Sequence, residues 1–206
     1  MALIGMGSGS VMMLNWLEAL ELAVKYDFEA FEILAQFPQY DPDLVSDEDK
    51  LKAKEIIRST GITLSIHAPF SSLNIATPNN GIREESIRQV KASVDLCADL
   101  EGRLVVIHNG DYIFERAREK APQLAELQWN QNIDALKQIA NYADSRGVIL
   151  CLENIGFEPL IIDDTVDDML KIREQVGSPA LFFCLDIGHA GLNNEPTSVQ
   201  IGRAHV

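Results

Sequence analysis

Val105-Val106-Ile107-His108 is a short apolar run closed by a side chain that can bind a metal or move a proton. Three other runs have the same form: Leu64-Ser65-Ile66-His67, Leu150-Cys151-Leu152-Glu153 and Phe183-Cys184-Leu185-Asp186. Rich in Ile, Val, Leu and Phe with little polar alternation, they read as parallel strands covered on both faces. Working outward, six strands are predicted: Ala2–Met6, Ala30–Leu34, Thr63–His67, Leu104–His108, Val148–Glu153 and Leu181–Asp186.

Amphipathic helix patterns separate the runs. Asn15-Trp16-Leu17-Glu18 offers an N-cap with a carboxylate three residues on, and Thr165-Val166-Asp167-Asp168 does the same. Ile87, Val90, Val94 and Cys97 recur at steps of three and four and predict one buried stripe. Gly61, Gly102, Gly147 and Gly177 each fall between a helix and the next strand, where a left-handed cap is expected. Strict alternation of strand and helix leaves an open doubly wound sheet or a (β/α)8 barrel within the α/β class. The stretch Gly5-Met6-Gly7-Ser8-Gly9 matches neither GxGxxG nor a P-loop, which weakens the nucleotide-binding sheet.

A full barrel takes about 250 residues. This chain has 206, and about six βα units fill them, so the expected fold is an incomplete (β/α)8 TIM barrel without its last two units. The domain is expected to span residues 1–200. Ile201-Gly202-Arg203-Ala204-His205-Val206 reads either as one frame of a sequencing adapter or as a genuine polar tail, and His205 is left out of any site. Two unpaired barrel edges predict aggregation or homo-oligomer formation.

Seventeen Lys and Arg against 31 Asp and Glu give a net charge of −14, which disfavours a nucleic-acid partner. Hydrophobic residues make up 47% and charged residues 23%, an ordinary globular balance. No apolar run is long enough to span a membrane, and the N-terminus lacks a charged secretory start. Three cysteines, Cys97, Cys151 and Cys184, sit in apolar runs without CxxC spacing, which predicts buried reduced thiols and a cytoplasmic protein.

In a barrel of parallel strands the C-terminal ends meet at one mouth. There His67, His108, Glu153 and Asp186 would converge with His189, three residues beyond Asp186 in Asp186-Ile187-Gly188-His189. Imidazole nitrogen with carboxylate oxygen suits a divalent ion, manganese or zinc first, with magnesium or cobalt also admitted. A charged group beside an apolar strand must otherwise be paired. Glu32, interrupting Phe31-Glu32-Ile33-Leu34, points into the mouth as a substrate or metal contact or pairs with a Lys or Arg at the rim. Asn154 either steadies a neighbouring ligand by a hydrogen bond or is a plain structural amide. Cys151 and Cys184 each lie two residues before a carboxylate, so they share its face and pack beneath it.

These residues, in this order, resemble the xylose isomerase-like barrels, which include sugar phosphate isomerases and epimerases and endonuclease IV. His67-Ala68-Pro69-Phe70 with Leu73-Asn74-Ile75-Ala76 is similar to the family's third strand and loop, and Val105-Val106-Ile107-His108 to its fourth. Leu152-Glu153-Asn154 and Cys184-Leu185-Asp186-Ile187-Gly188-His189 resemble its fifth- and sixth-strand metal motifs, and Phe28-Glu29-Ala30-Phe31-Glu32-Ile33 its second strand. The likeness runs from about Asn15 to Leu192. For an epimerase it implies that Glu153 and Asp186 bind a divalent metal, that Glu153 is also one of two acid/base carboxylates, and that His189 lies near the substrate. For the nuclease it implies that His67, His108, Glu153, Asp186 and His189 share a zinc cluster. In both cases the remaining ligands come from strands seven and eight. Glu32, Asn74 and Asn154 are the candidate substrate-binding residues. The family's nuclease has proline after its fourth-strand histidine, where this chain has Asn109-Gly110-Asp111, and the stretch from Gln39 to Asp49 is acidic. The expected function is therefore a metal-dependent isomerase or epimerase acting on a small sugar or polyol. A zinc-dependent endonuclease and a non-catalytic sugar-binding barrel are the alternatives. The short chain itself is expected to be inactive.

Overall fold

Six parallel strands alternate with helices in the computed structural model, which describes residues 2–40, 45–155, 160–162 and 165–192. In chain order they are β1 (Gly5–Gly7), α1 (Trp16–Lys25), β2 (Ala30–Leu34), α2 (Asp47–Thr60), β3 (Thr63–His67) and α3 (Asn80–Asp99). Then follow β4 (Leu104–Ile107), α4 (Ala117–Lys120), α5 (Pro122–Ser145), β5 (Ile149–Glu153), α6 (Val166–Val176), β6 (Leu181–Cys184) and α7 (Ile187–Leu192). A single 3-10 turn, Ser8–Val11, follows β1. Each strand pairs with the next in sequence, giving the order β1-β2-β3-β4-β5-β6 of a barrel wall rather than the reversed order of a doubly wound sheet. Among the described residues, β1 and β6 pair on one side only. The suspected tail, residues 201–206, lies outside the described residues, and no described helix is long and apolar enough to cross a membrane.

The strands form where the apolar runs predict them, with their ends trimmed. β4 stops at Ile107 and β6 at Cys184, so His108 and Asp186 stand on the first loop residues instead of the last strand residues. β1 moves from Ala2–Met6 to Gly5–Gly7, starting later and ending at Gly7, which pairs with Glu32; just before it, the Ile4 carbonyl accepts from the Glu29 and Ala30 N–H groups and the Ile4 N–H donates to the Glu29 carboxylate. Phe31, Ile33, Leu64, Ile66, Val105, Ile107, Leu150 and Leu152 are almost wholly buried and alternate along their strands. They form the helix-facing side of the sheet, where the α3 stripe of Ile87, Val90, Val94 and Cys97 is also buried. The intervening residues face the barrel interior.

Local chemistry sets the helix ends. The Asn15 side chain accepts from the N–H groups of Leu17 and Glu18 while Glu18 reaches back to the Asn15 N–H, a complete capping box. Thr165 accepts from the Asp168 N–H and starts α6. Gly61, Gly147 and Gly177 have the expected positive φ of 74°, 69° and 65°. Gly102 departs from expectation: the left-handed residue at that junction is Glu101, φ 61°. Glycine is needed at 102 for room, since a Cβ there would lie 2.8 Å from Cys97 Sγ and 3.3 Å from the Leu64 carbonyl oxygen.

Candidate metal centre and active site

The barrel mouth gathers its polar strand ends around one carboxylate. Glu153, the last residue of β5, is buried. Its Oε2 lies 3.1 Å from His67 Nε2 and 3.2 Å from His108 Nε2, so β3, β4 and β5 meet at one oxygen. Its Oε1 faces His189 Nδ1 at 3.4 Å. Asp186, two residues beyond β6, accepts the His189 N–H on Oδ1 at 2.7 Å, and its Oδ2 lies 3.7 Å from His189 Nδ1. Two groups of three potential ligands result: His67, His108 and Glu153, and Glu153, Asp186 and His189. Within each, one donor atom per residue lies within 4.8 Å of the others. The five residues expected at the mouth therefore come together, and Glu153 belongs to both groups.

Hydrogen bonds determine which ring nitrogens face the centre. His67 Nδ1 lies 2.8 Å from the Ala68 carbonyl oxygen, which can only accept. Nδ1 therefore carries the hydrogen, and a neutral imidazole presents the bare Nε2 lone pair to Glu153. Two acceptors at that distance need a proton or a cation between them. Likewise His189 Nδ1 donates to the Asn154 carbonyl oxygen at 3.0 Å, leaving its Nε2 as the free nitrogen. Paired imidazole and carboxylate donors, with backbone carbonyls fixing the tautomers, fit a divalent cation.

Without a cation, protons fill the same role. Burial acts against ionised Glu153, yet the hydrogen bonds from His108 and His67 hold its carboxyl well below the usual range. Burial also acts against charged His67, but the Glu153 carboxylate and the Ala68 carbonyl raise its pKa above the ordinary histidine value. Below them, Glu32 accepts from Ser65 Oγ at 3.0 Å inside the barrel. Burial pushes the Cys151 thiol up to about 11, with Glu32 adding to the effect. Burial, then Glu153 and Glu32, push Cys184 up to about 12. Both thiols stay protonated and serve as packing groups.

The three candidate substrate residues are placed as follows. Glu32 sits one layer beneath His67, bound to Ser65. Asn154 turns its amide to the Asp186 backbone, accepting its N–H at 2.6 Å and donating to its carbonyl at 2.9 Å. Asn154 thus holds the segment that carries both Asp186 and His189. Asn74 braces two loops: Oδ1 accepts the N–H groups of Ala76 and Asp111, and Nδ2 donates to the Asp111 carbonyl. Gly110 passes so close that a Cβ would lie 2.5 Å from Ala76 N and 2.6 Å from Asn74 Oδ1.

A cavity of about 380 Å³ opens above Glu153, with His67, His108 and His189 on its wall. Phe70, Leu73, Ile107 and Ile161 supply an apolar side. Phe70 stacks on His108 with ring centroids 4.7 Å apart and meets His67 edge-on at 5.4 Å. Its loop is pinned by Gln36 Oε1, which accepts the N–H groups of Phe70 and Ser71. The sequence displays Phe70 beside His67 but gives no sign that it stacks on His108, and nothing in it marks Gln36. Both follow from which loops the barrel brings side by side.

With this geometry in place, comparison with known proteins is decisive for the family. The model of the xylose isomerase-like TIM barrel matches residues 20–205. The chain belongs to that family. An uncharacterised protein of Methanocaldococcus jannaschii is 25% identical to this xylose isomerase-like barrel over 195 residues, covering 91% of the chain and 64% of the relative. A protein of Mycobacterium leprae described as a probable endonuclease 4 is 28% identical over 149 residues, or 72% of the chain and 52% of the relative. The chain thus spans between half and two thirds of these relatives. Among solved structures, a D-tagatose 3-epimerase-like protein superposes with a TM-score of 0.78 at 23% identity over 92% of the chain and 66% of its own. An L-ribulose 3-epimerase gives 0.81 at 22% identity over 99% and 67%. At that identity these two structures establish the shared fold.

Proposed function

We propose that this xylose isomerase-like barrel is a metal-dependent isomerase or epimerase that moves a proton beside the carbonyl of a small sugar or polyol. One observation carries the reading: a single cavity is lined by Glu153 and the imidazoles of His67, His108 and His189 together with the apolar side chains Phe70, Leu73, Ile107 and Ile161. Its volume suits a small ligand with one reacting end and a carbon skeleton. Glu153, Asp186, His67, His108 and His189 would hold the cation, manganese or zinc first by their mixed nitrogen and oxygen donors. A bound cation supplies a Lewis acid for a carbonyl oxygen. Glu153 Oε1, the oxygen not shared by His67 and His108, takes the carbon-bound proton, and His189 at 3.4 Å steadies the carboxyl in either state. Self-association through β1 and β6, which pair on one side only among the described residues, belongs to the same proposal.

A second reading has its own observation. Two donor groups sharing Glu153 suit a pair of cations, an arrangement that serves phosphoester hydrolysis. The resemblance to the probable endonuclease 4 points the same way. Against it stand the net charge of −14 and the acidic start of α2, Asp47-Glu48-Asp49, which would repel a phosphate backbone.

The deciding experiment supplies the protein with Mn2+ or Zn2+ and incubates it in D2O with D-tagatose, D-psicose or L-ribulose. Deuterium entering the carbon beside the carbonyl, reduced about 100-fold or more by Glu153→Gln, is expected for a lost acid/base group. Nicking of an abasic-site duplex without exchange would establish the second reading instead. Binding without either reaction would leave a sugar-binding barrel.

A further inference from the structure

The three imidazoles at the mouth are not held alike. His67 and His189 each set Nδ1 against a backbone carbonyl, that of Ala68 at 2.8 Å and that of Asn154 at 3.0 Å, so both nitrogens of each ring are committed. His108 places Nε2 3.2 Å from Glu153 Oε2, but its Nδ1 has no hydrogen-bond partner among the described residues. A histidine that binds a metal ordinarily has its second nitrogen held as well, because a ring fixed at one nitrogen alone can still swing.

At His108, aromatic contacts stand where that second bond would be. Phe70 stacks on its ring with centroids 4.7 Å apart and planes 26° from parallel, and the His67 ring meets it edge-on at 5.0 Å. Phe70 is itself 41% exposed, so burial alone does not hold it. Its backbone is tied instead. The Ala68 N–H donates to the Val106 carbonyl at 2.8 Å, and Pro69 restricts the next φ. Gln36, two residues beyond β2, then accepts the N–H groups of Phe70 and Ser71 on Oε1 at 3.1 and 2.8 Å. The loops after β2, β3 and β4 are thereby linked in series, from Gln36 through Phe70 to His108.

We infer that Phe70 is a positioning residue: its stacked ring fixes the plane of His108, so that Nε2 stays aimed at Glu153 and at a cation held between them, and Gln36 acts by holding Phe70. This role rests on the metal reading proposed above. Neither residue is a ligand. Phe70 has no donor atom, and Gln36 Oε1 is engaged by the two N–H groups.

Calorimetric titration of the metal-free protein with Mn2+ and with Zn2+ tests this. Phe70→Leu is expected to weaken binding about tenfold or more, the usual cost of losing a group that orients a ligand. Phe70→Tyr keeps the ring and should stay within about twofold of the unaltered protein. Unchanged affinity in Phe70→Leu, or an equal loss in both variants, overturns the role. Nitrogen NMR of the imidazoles adds a reading that general loosening of the site would not give. In metal-free protein, at a pH where the His108 ring is neutral, its Nε2–H donates to ionised Glu153, so the unaltered protein should show one His108 tautomer. Phe70→Leu should show a mixture, while His67 and His189, held by backbone carbonyls, keep theirs. A change in all three histidines, or in none, overturns the role. If Phe70→Leu does not fold, Gln36→Leu, which releases the same loop, replaces it with the same expected results. If the unaltered protein binds neither ion, the metal reading fails, and the His108 signals still decide whether Phe70 sets that ring.

Discussion

Glu153 is the residue on which the site turns. It ends β5, is buried, and receives two imidazoles on a single oxygen. Its pH behaviour can be worked out with sign. The lowered Glu153 pKa means that its pairing stabilises the metal-free fold above the unfolded value, about 4.3, and is lost as pH falls through the folded one. The raised His67 pKa means that its contribution is complete below about 6.5 and is lost as pH rises through its folded value. Metal-free protein should therefore gain most from the pair between about pH 4.3 and 6.5. Thermal melts across pH should show that gain, and Glu153→Gln should flatten it; equal profiles for the two proteins would contradict the ion pair. The sequence displays the four polar ends of the apolar runs, with His189 three residues beyond the last, because an apolar run closed by His, Glu or Asp is visible without coordinates. It does not display the direction of an amide. Asn74 and Asn154 are legible as polar residues near the mouth, but their engagement with the Asp111 and Asp186 backbones depends on loops remote in sequence.

At the scale of elements, strand positions follow from burial pattern and helix starts from capping chemistry. Asn15 and Thr165 cap their helices with side-chain oxygens, as their spacing from Glu18 and Asp168 predicts. Glycine is harder to read. Gly61, Gly147 and Gly177 take the left-handed conformation, but at the end of α3 Glu101 takes it, and Gly102 serves close packing against Cys97. One sequence signature thus covers two physical causes. The loop after β4 shows the second cause at the site itself. A Cβ on Gly110 would collide with Ala76 and Asn74 Oδ1, the brace between the β3–α3 and β4–α4 connections. Gly110→Ala should destabilise the protein by about 2 kcal/mol or more, as overpacked buried positions do. Gly7→Ala, where nothing lies within 4 Å of the added atom, should cost far less. Chemical denaturation of the two variants checks this, and equal stabilities would contradict the account of that loop.

For the molecule as a whole, the barrel was legible because strict strand–helix alternation admits few right-handed topologies, and the sequential strand order selects one of them. The interior layer of Glu32, Ser65, Cys151 and Cys184 was only partly legible. Period-two alternation puts the thiols beneath the carboxylates, but the bond from Ser65 to Glu32 requires the register of β2 with β3. That same topology brings residues from 67 to 189 of the chain to one mouth, and the central claim is that they hold a divalent cation there. The most direct test is metal content, measured by mass spectrometry after dialysis against Mn2+ or Zn2+, for the unaltered protein and Glu153→Gln. Because Glu153 belongs to both ligand groups, the unaltered protein should retain at least one ion per chain and the variant should lose it. An unaltered protein without bound metal, or a Glu153→Gln variant that retains the same amount, would contradict the claim.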